Sequence, residues 1–189
     1  VKLERFCVKF LARPEAKLDD EALIPIFHDW IRDHKLPGTL LDVADYRHVP
    51  TGPGIMLVTH EINYALDRDA DELGLYAQLK QPEGDTPQAR IVNLVRHTAT
   101  FGSLLETDQR VAGQIKLDGS SFYCMSNDRL DGPNTDEGFE ALKAELSPAV
   151  AELYLGKTVT ITRKENDPRS RLTAVVSVAE PVEMAALAA

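Results

Sequence analysis

Apolar and polar residues alternate through the opening segment Leu3 to Leu11, with Phe6, Val8 and Phe10 on one side and Arg5, Lys9 and Leu11 on the other. A period of two is the signature of a strand. From Asp20 to Lys35 the spacing changes: Leu23, Phe27, Trp30 and Ile31 recur at intervals of three and four, which predicts an amphipathic helix. Asp19 or Asp20 can cap it, Pro25 is tolerated near its first turn, and Pro37-Gly38 ends it. Strand-type runs return at Thr39 to His48, Gly54 to Glu61 and Leu73 to Lys80, with Ile62 to Leu66 continuing the second of these. Pro50, Gly52, Pro53 and Gly54 supply one turn, and Asp67 to Asp71 reads as a second, solvated one.

In the second half, Thr86 caps and Pro87 opens a helix running to about Thr107, with Ile91, Val95, Thr98 and Leu105 as its buried stripe. Short strands at Gly113 to Leu117 and Ser121 to Ser126 are predicted to pair around Asp118-Gly119. Asn134 with Glu137 resembles a capping box for a helix carrying Phe139, Leu142 and Leu146, which Ser147-Pro148 should kink and Gly156 should end. Thr158 to Thr162 and Arg171 to Val178 form a last hairpin around Asn166-Asp167-Pro168.

This order predicts an α+β fold, a largely antiparallel sheet with helices on one face, in which Leu73 to Thr162 has the βαββαβ order of a ferredoxin-like unit. Residues 1 to 180 are expected to form one domain, and 181 to 189 a loose C-terminal tail. With 43% hydrophobic and 27% charged residues, the 189-residue chain has the composition of a globular protein able to bury a core without a metal or disulfide staple.

Charge narrows the partners. Thirty acidic against 21 basic side chains give a net charge of −9, which argues against a role that depends on neutralising nucleic-acid phosphates. The most basic stretch, Arg163, Lys164, Arg169 and Arg171, is interrupted by Glu165 and Asp167 and reads as a solvated hairpin end. Cys7 and Cys124 each lie in an apolar run without a CxxC motif, as small buried hydrophobes do. No apolar run approaches the length of a membrane span and no leader pattern opens the chain, so no membrane association and a cytoplasmic location are expected.

Candidate chemistry concentrates in Asp42, Asp45, Tyr46, Arg47, His48, His60 and Glu61, which bracket the Pro/Gly turn. If His48 pairs with Gly54, stepping back by twos places Asp42 opposite His60. A carboxylate beside an imidazole can orient the ring and raise its pKa, so Asp42 and His60 are the catalytic candidates, with acid–base chemistry as their task. Asp45, Tyr46, Arg47, His48 and Glu61 are candidates for binding a ligand. The competing reading is a structural Asp-His pair whose register one bulge would shift.

A second polar segment, Ser126-Asn127-Asp128-Arg129 with Asn134-Thr135, precedes a helix N-terminus. Asn127 and Arg129 there could hold a carboxylate or phosphate, although Asp128 opposes that charge and turn chemistry accounts for much of the segment. His28, His34 and His97 fall on helices and suit surface or interface roles. No HxH or HExxH spacing marks a metal site, and no P-loop lysine, GxGxxG or GxSxG motif marks nucleotide binding or a nucleophile, so the sequence names no cofactor.

The segments DVADYRHVPTGPGIMLVTHE, residues 42 to 61, and NDRLDGPNT, residues 127 to 135, resemble an uncharacterised group of bacterial proteins. That resemblance implies a bacterial cytoplasmic protein and brings no activity or ligand with it. Two functions follow as expectations. One is a small-ligand-binding or interaction module acting as a homodimer or other homo-oligomer through a sheet edge or the first helix. The alternative is an enzyme doing acid–base chemistry on a small anionic metabolite with the Asp-His pair.

Overall fold

A computed structural model describes residues 2–50 and 52–189; Val1, and Thr51 within the turn expected at Pro50 to Gly54, lie outside them. The protein is α+β. Eight strands form one sheet in the order β2-β3-β4-β5-β1-β6-β8-β7, and every neighbouring pair is antiparallel.

Strand β1 (Phe6–Leu11) lies near the middle of the sheet, paired along both edges by β5 and β6, and five of its six residues are buried. A 3-10 turn at Asp20–Ala22, opened by the Asp19 side chain, leads into α1 (Leu23–Arg32), which buries Leu23, Ile26, Phe27 and Trp30. The chain then reaches the outer edge with β2 (Leu40–Asp45). It returns through β3 (Ile55–Thr59), β4 (Ile62–Asp67) and β5 (Gly74–Leu79), which pairs with β1.

Residues 54–66, read from the sequence as one interrupted run, are two strands. Thr59 makes the reversal: its hydroxyl accepts from the Ile62 N–H at 2.9 Å and donates to the Ile62 carbonyl at 2.6 Å, closing a tight turn over His60-Glu61. Asp67 to Asp71 was expected to be solvated, yet Asp67 is buried at the end of β4.

Helix α2 (Pro87–Thr107) starts where the sequence places it, with the Thr86 hydroxyl accepting from the Ala89 N–H at 3.2 Å, and it buries Ile91, Val95, Thr98 and Leu105. It crosses the sheet to β6 (Ser121–Ser126), on the other side of β1. Helix α3 (Asp136–Leu153) is capped by Thr135 and not Asn134, because Arg163 and Asn166 engage the Asn134 side chain. Pro148 is accommodated within the helix. Strands β7 (Val159–Arg163) and β8 (Thr173–Val178) complete the sheet as the expected hairpin.

Two expectations fail here. The ferredoxin-like order does not form: β1 lies between β5 and β6, and Gly113 to Leu117 contributes an isolated bridge, Leu117 to Ala12, in place of a strand. The segment is held instead by backbone hydrogen bonds from Arg13 and Lys17 to the Lys116 and Gln114 carbonyls, with Val111, Ile115 and Leu117 buried beneath. The end of the chain is docked, not loose. Helix α4 (Met184–Leu187) buries Met184 and Leu187, and Gly102 in α2 makes room for it, since a Cβ there would come within 3.0 Å of the Met184 Cε.

The two faces of the sheet differ. Phe6, Val8 and Phe10 share one core with the apolar residues of all four helices, where Phe101 meets Phe27, Trp30 and Tyr64 at ring separations of 4.7–5.4 Å. A second cluster, Cys7, Met56, Ala65, Tyr76 and Met125, contains no helical residue and lies on the opposite face. Helices therefore cover one face and leave the other open, partly roofed by the loops after β2, β4 and β7. Among the described residues no helix is long and apolar enough to cross a membrane.

Candidate functional site

The β2–β3 hairpin does not assemble the Asp-His pair. Its ladder begins where the Tyr46 N–H donates to the Gly54 carbonyl at 2.8 Å, so the connecting loop is longer than a His48–Gly54 pairing allows. Asp45 then faces Ile55 and Asp42 faces Val58, and an irregularity between Leu40 and Asp42 leaves Leu40 opposite Thr59. Asp42 turns its carboxylate to the Val43 N–H at 2.8 Å, while His60 lies exposed in the next turn with its N–H on the Thr39 carbonyl. No hydrogen bond or ion pair joins them.

Other residues of this segment satisfy one another at the edge of the sheet. Arg47 grips Asp45 through two nitrogens, at 3.0 and 2.6 Å, and reaches Glu21 at 3.3 Å. The guanidinium holds the Asp45 carboxyl down at about 2. Tyr46 and His48 stack on each other, exposed. Glu61 accepts from the Thr39 N–H and borders a small cavity of about 180 Å³ on the helical side, shared with the His97–Glu83 pair. His28 and His34 are exposed on and just after α1.

The polar chemistry lies instead at the centre of the open face. Lys9 on β1 is 3% exposed and contacts Asp67, 8% exposed. The register shows how they meet: Lys9 faces Tyr76 on β5, Asp67 faces Gly74, and the lysine stem crosses Gly74 diagonally to reach the carboxylate. A Cβ at Gly74 would come within 2.7 Å of the Lys9 Cε and 2.6 Å of the Phe10 carbonyl oxygen, so glycine keeps this path open.

Beside them, Arg171, just before β8, folds over the sheet. Its Nη1 donates to Asn127 Oδ1 at 2.9 Å, to the Tyr76 hydroxyl at 3.4 Å and towards the Cys7 sulfur at 3.7 Å. Asn127 also donates to that sulfur at 2.9 Å, and the Tyr76 hydroxyl lies 2.7 Å from it. Burial pushes the Cys7 thiol above its ordinary pKa, so it is a neutral thiol beneath the guanidinium. Among the described residues no carboxylate lies within 4 Å of Arg171, and nothing accepts from its Nε or Nη2. Arg171 is half-buried and lines the two cavities that open on this face.

Lys164, one turn of the loop away, is paired. It reaches Glu72 at 2.7 Å and sits 4.0 Å from the centre of the Tyr123 ring, whose hydroxyl donates to Glu72 at 3.0 Å. Burial works against the charge on Glu72, but these hydrogen bonds outweigh it and hold the carboxyl below its usual range.

Two cavities open here, of about 400 and 280 Å³, and Arg171 and Asp69 line both. The larger carries four cations, Lys9, Arg129, Lys164 and Arg171, against Asp69 and Glu72. The smaller sets Asp67 and Asp69 against Arg171 alone, with Gly52 and Pro53 of the β2–β3 loop as its rim. Of the residues singled out from the sequence, Arg129 borders the larger cavity and Asn127 positions Arg171. Asp42, Asp45, Tyr46, Arg47, His48, His60 and Glu61 border neither.

Among the described residues no three His, Cys, Asp or Glu side chains come together to hold a metal ion. No family model, curated protein or solved structure matches the chain.

Sequence reasoning passed over Lys9, Asp67, Glu72, Tyr76, Tyr123, Lys164 and Arg171. One signal was available: Lys9 sits between Val8 and Phe10 in a strand that also carries Cys7, so its polar face is not uniformly polar. For Arg171 the interleaved acids pointed the wrong way. Asp167 is occupied by Arg169 at the hairpin tip, and Arg163 is turned towards Asn134 and Asp136, leaving Arg171 to the sheet.

Proposed function

We propose that this protein binds a small anionic molecule, one bearing a carboxylate or phosphate, on the open face of its sheet. The observation that carries the reading is the unfilled Nε/Nη2 edge of Arg171. A guanidinium fork matches the two oxygens of a carboxylate or phosphate, and its other nitrogen is already fixed by Asn127 and Tyr76, which lowers the ordering cost of binding. Arg129, exposed and without a hydrogen-bonding partner among the described residues, adds a second positive charge at the rim of the larger cavity.

The acid–base alternative lacks its pair, because Asp42 and His60 are neither in contact with each other nor beside either cavity, and the free edge of Arg171 favours the binding reading. Homo-oligomerisation belongs to the same proposal, since β2 and β7 are edge strands with unpaired backbone groups. A cytoplasmic location belongs to the same proposal.

The test is a ¹⁵N-resolved NMR titration with hexanoate and with ethyl phosphate. At least one should shift amides around Arg171, Asn127 and Tyr76, and Arg171→Gln should weaken that binding roughly 10- to 100-fold, the worth of one charge-assisted pair. Unchanged binding in the variant, or shifts confined to other surfaces, would rule the site out.

A further inference from the structure

Tyr64, in the middle of β4, is 2% exposed and stacks its ring on Phe101 at 4.7 Å, yet its hydroxyl has no hydrogen-bonding partner among the described residues. The hydroxyls of Tyr76, Tyr123 and Tyr154 all engage a neighbour: the Cys7 sulfur, Glu72 and the Gly119 carbonyl. Buried tyrosine hydroxyls are ordinarily paired, because desolvating one without a partner is costly. Burial and the nearby charges of Glu83 and Glu61 push the Tyr64 phenol above its ordinary pKa.

Tyr64 lines the cavity of about 180 Å³ on the helical side, and so do both of those glutamates. Glu61 is held by the Thr39 N–H at 3.0 Å. Gly38, at a φ of 88°, brings the turn before β2 so close that a Cβ there would come within 2.7 Å of Glu61 Oε2. Glu83 is fixed from the other side by His97 of α2 at 3.0 Å. No lysine or arginine lines the cavity. Lys80 directs its ammonium to the Thr59 carbonyl at 2.6 Å and pairs with neither glutamate among the described residues. Two carboxylates therefore stand against at most one imidazolium. Buried Ile62, Pro37 and the Tyr64 ring supply an apolar wall.

We infer that this cavity binds a small organic cation, a primary alkylammonium whose head group donates to the Tyr64 hydroxyl oxygen and to Glu61 and Glu83 while its short stem lies against Ile62 and Pro37. An ammonium group has three donors, and three acceptors border the cavity. Water satisfies a hydroxyl but leaves the two carboxylates uncompensated. The volume is below the ~300–1,000 Å³ of sites for drug-sized ligands, which limits the occupant to a few heavy atoms. Tyr64 belongs to the core on the helical face, opposite the Cys7 and Tyr76 cluster beneath Arg171, so the inference does not rest on the anion-binding reading.

The test is an NMR titration of the full chain at pH 7 with methylammonium, ethylammonium and butylammonium chloride, each beside the alcohol of the same stem and sodium chloride at equal ionic strength. At least one ammonium ion should shift the amides of Glu61, Ile62, Tyr64 and His97 saturably, with an affinity about tenfold above that of its alcohol. Tyr64→Phe keeps the ring stack and removes only the unpartnered hydroxyl, so urea unfolding should show unchanged stability while ammonium affinity falls roughly tenfold. Glu61→Gln, which retains an acceptor for the Thr39 N–H, should lower affinity by a similar factor. If no ammonium ion shifts these amides beyond the sodium chloride control, water alone fills the cavity and the inference falls. Binding that the alcohols match, or that either variant leaves unchanged, overturns it as well, and a marked loss of stability in Tyr64→Phe would show that the hydroxyl is already engaged within the fold.

Discussion

The pairing of Lys9 with Asp67 is the most exposed point of this account of the open face. Both residues are more than nine-tenths buried, so replacing either alone strands a charge in the sheet. Removing one partner of a buried pair costs about 3–5 kcal/mol, whereas exchanging both for apolar residues of similar volume is often neutral or stabilising. Lys9→Met and Asp67→Leu should therefore each destabilise the fold by ~3–5 kcal/mol, and the double variant should return to within about 1–2 kcal/mol of the wild type. Urea unfolding followed by circular dichroism reads this directly. With a slope of about 2 kcal/mol/M, each single variant should lose ~1.5–2.5 M of its midpoint and the double variant should regain most of it. Single variants within about 0.5 kcal/mol of the wild type would show that the charges are solvated, not buried. A double variant equal to the sum of the two losses would show that they are not paired.

Two further outcomes follow from the same geometry. Gly74→Ala pushes a methyl group against the Lys9 stem and the Phe10 carbonyl, and urea unfolding should show a loss of about 1–3 kcal/mol, with wild-type stability counting against the diagonal path. Glu72 should titrate below the ordinary value of 4.5, so its contribution to stability is complete above that value and is lost as pH falls through the lower folded one; a ¹³C-detected midpoint at or above 4.5 would mean that Lys164 and Tyr123 do not hold it.

What could be read from the sequence was local, and the reasons are visible in single residues. Thr86-Pro87 fixes the start of α2 because a hydroxyl acceptor and a residue without an N–H suit the first helical turn whatever packs around it. Thr135 capping α3 in place of Asn134 shows the limit: both can cap, and the choice was made by Arg163, 29 positions beyond Asn134, drawing Asn134 away. The β2–β3 register failed for a related reason. Where a hairpin ladder begins depends on how many residues the loop consumes, and each two-residue step moves a catalytic candidate by one pair along the strand.

The site itself could not be read by adjacency, because no two neighbours in sequence make it. Lys9 comes from β1, Asp67 from the end of β4, Tyr76 from β5, Asn127 from the loop after β6 and Arg171 from the loop just before β8. What brings them together is the strand order: β1 is entered first and then enclosed by β5 on one side and β6 on the other, so its odd-numbered face ends up in the middle of the sheet. In an edge strand a lysine at position 9 would be solvated. At the centre its stem must run along the face until it finds a carboxylate, and Gly74 lets it reach Asp67. Arg171, arriving from the far hairpin over the same face, finds a phenol, an amide and a thiol for one of its nitrogens, and no carboxylate for the others. That leftover donor edge, bordered by two cavities that Asp69 also lines, is the feature from which ligand binding is argued.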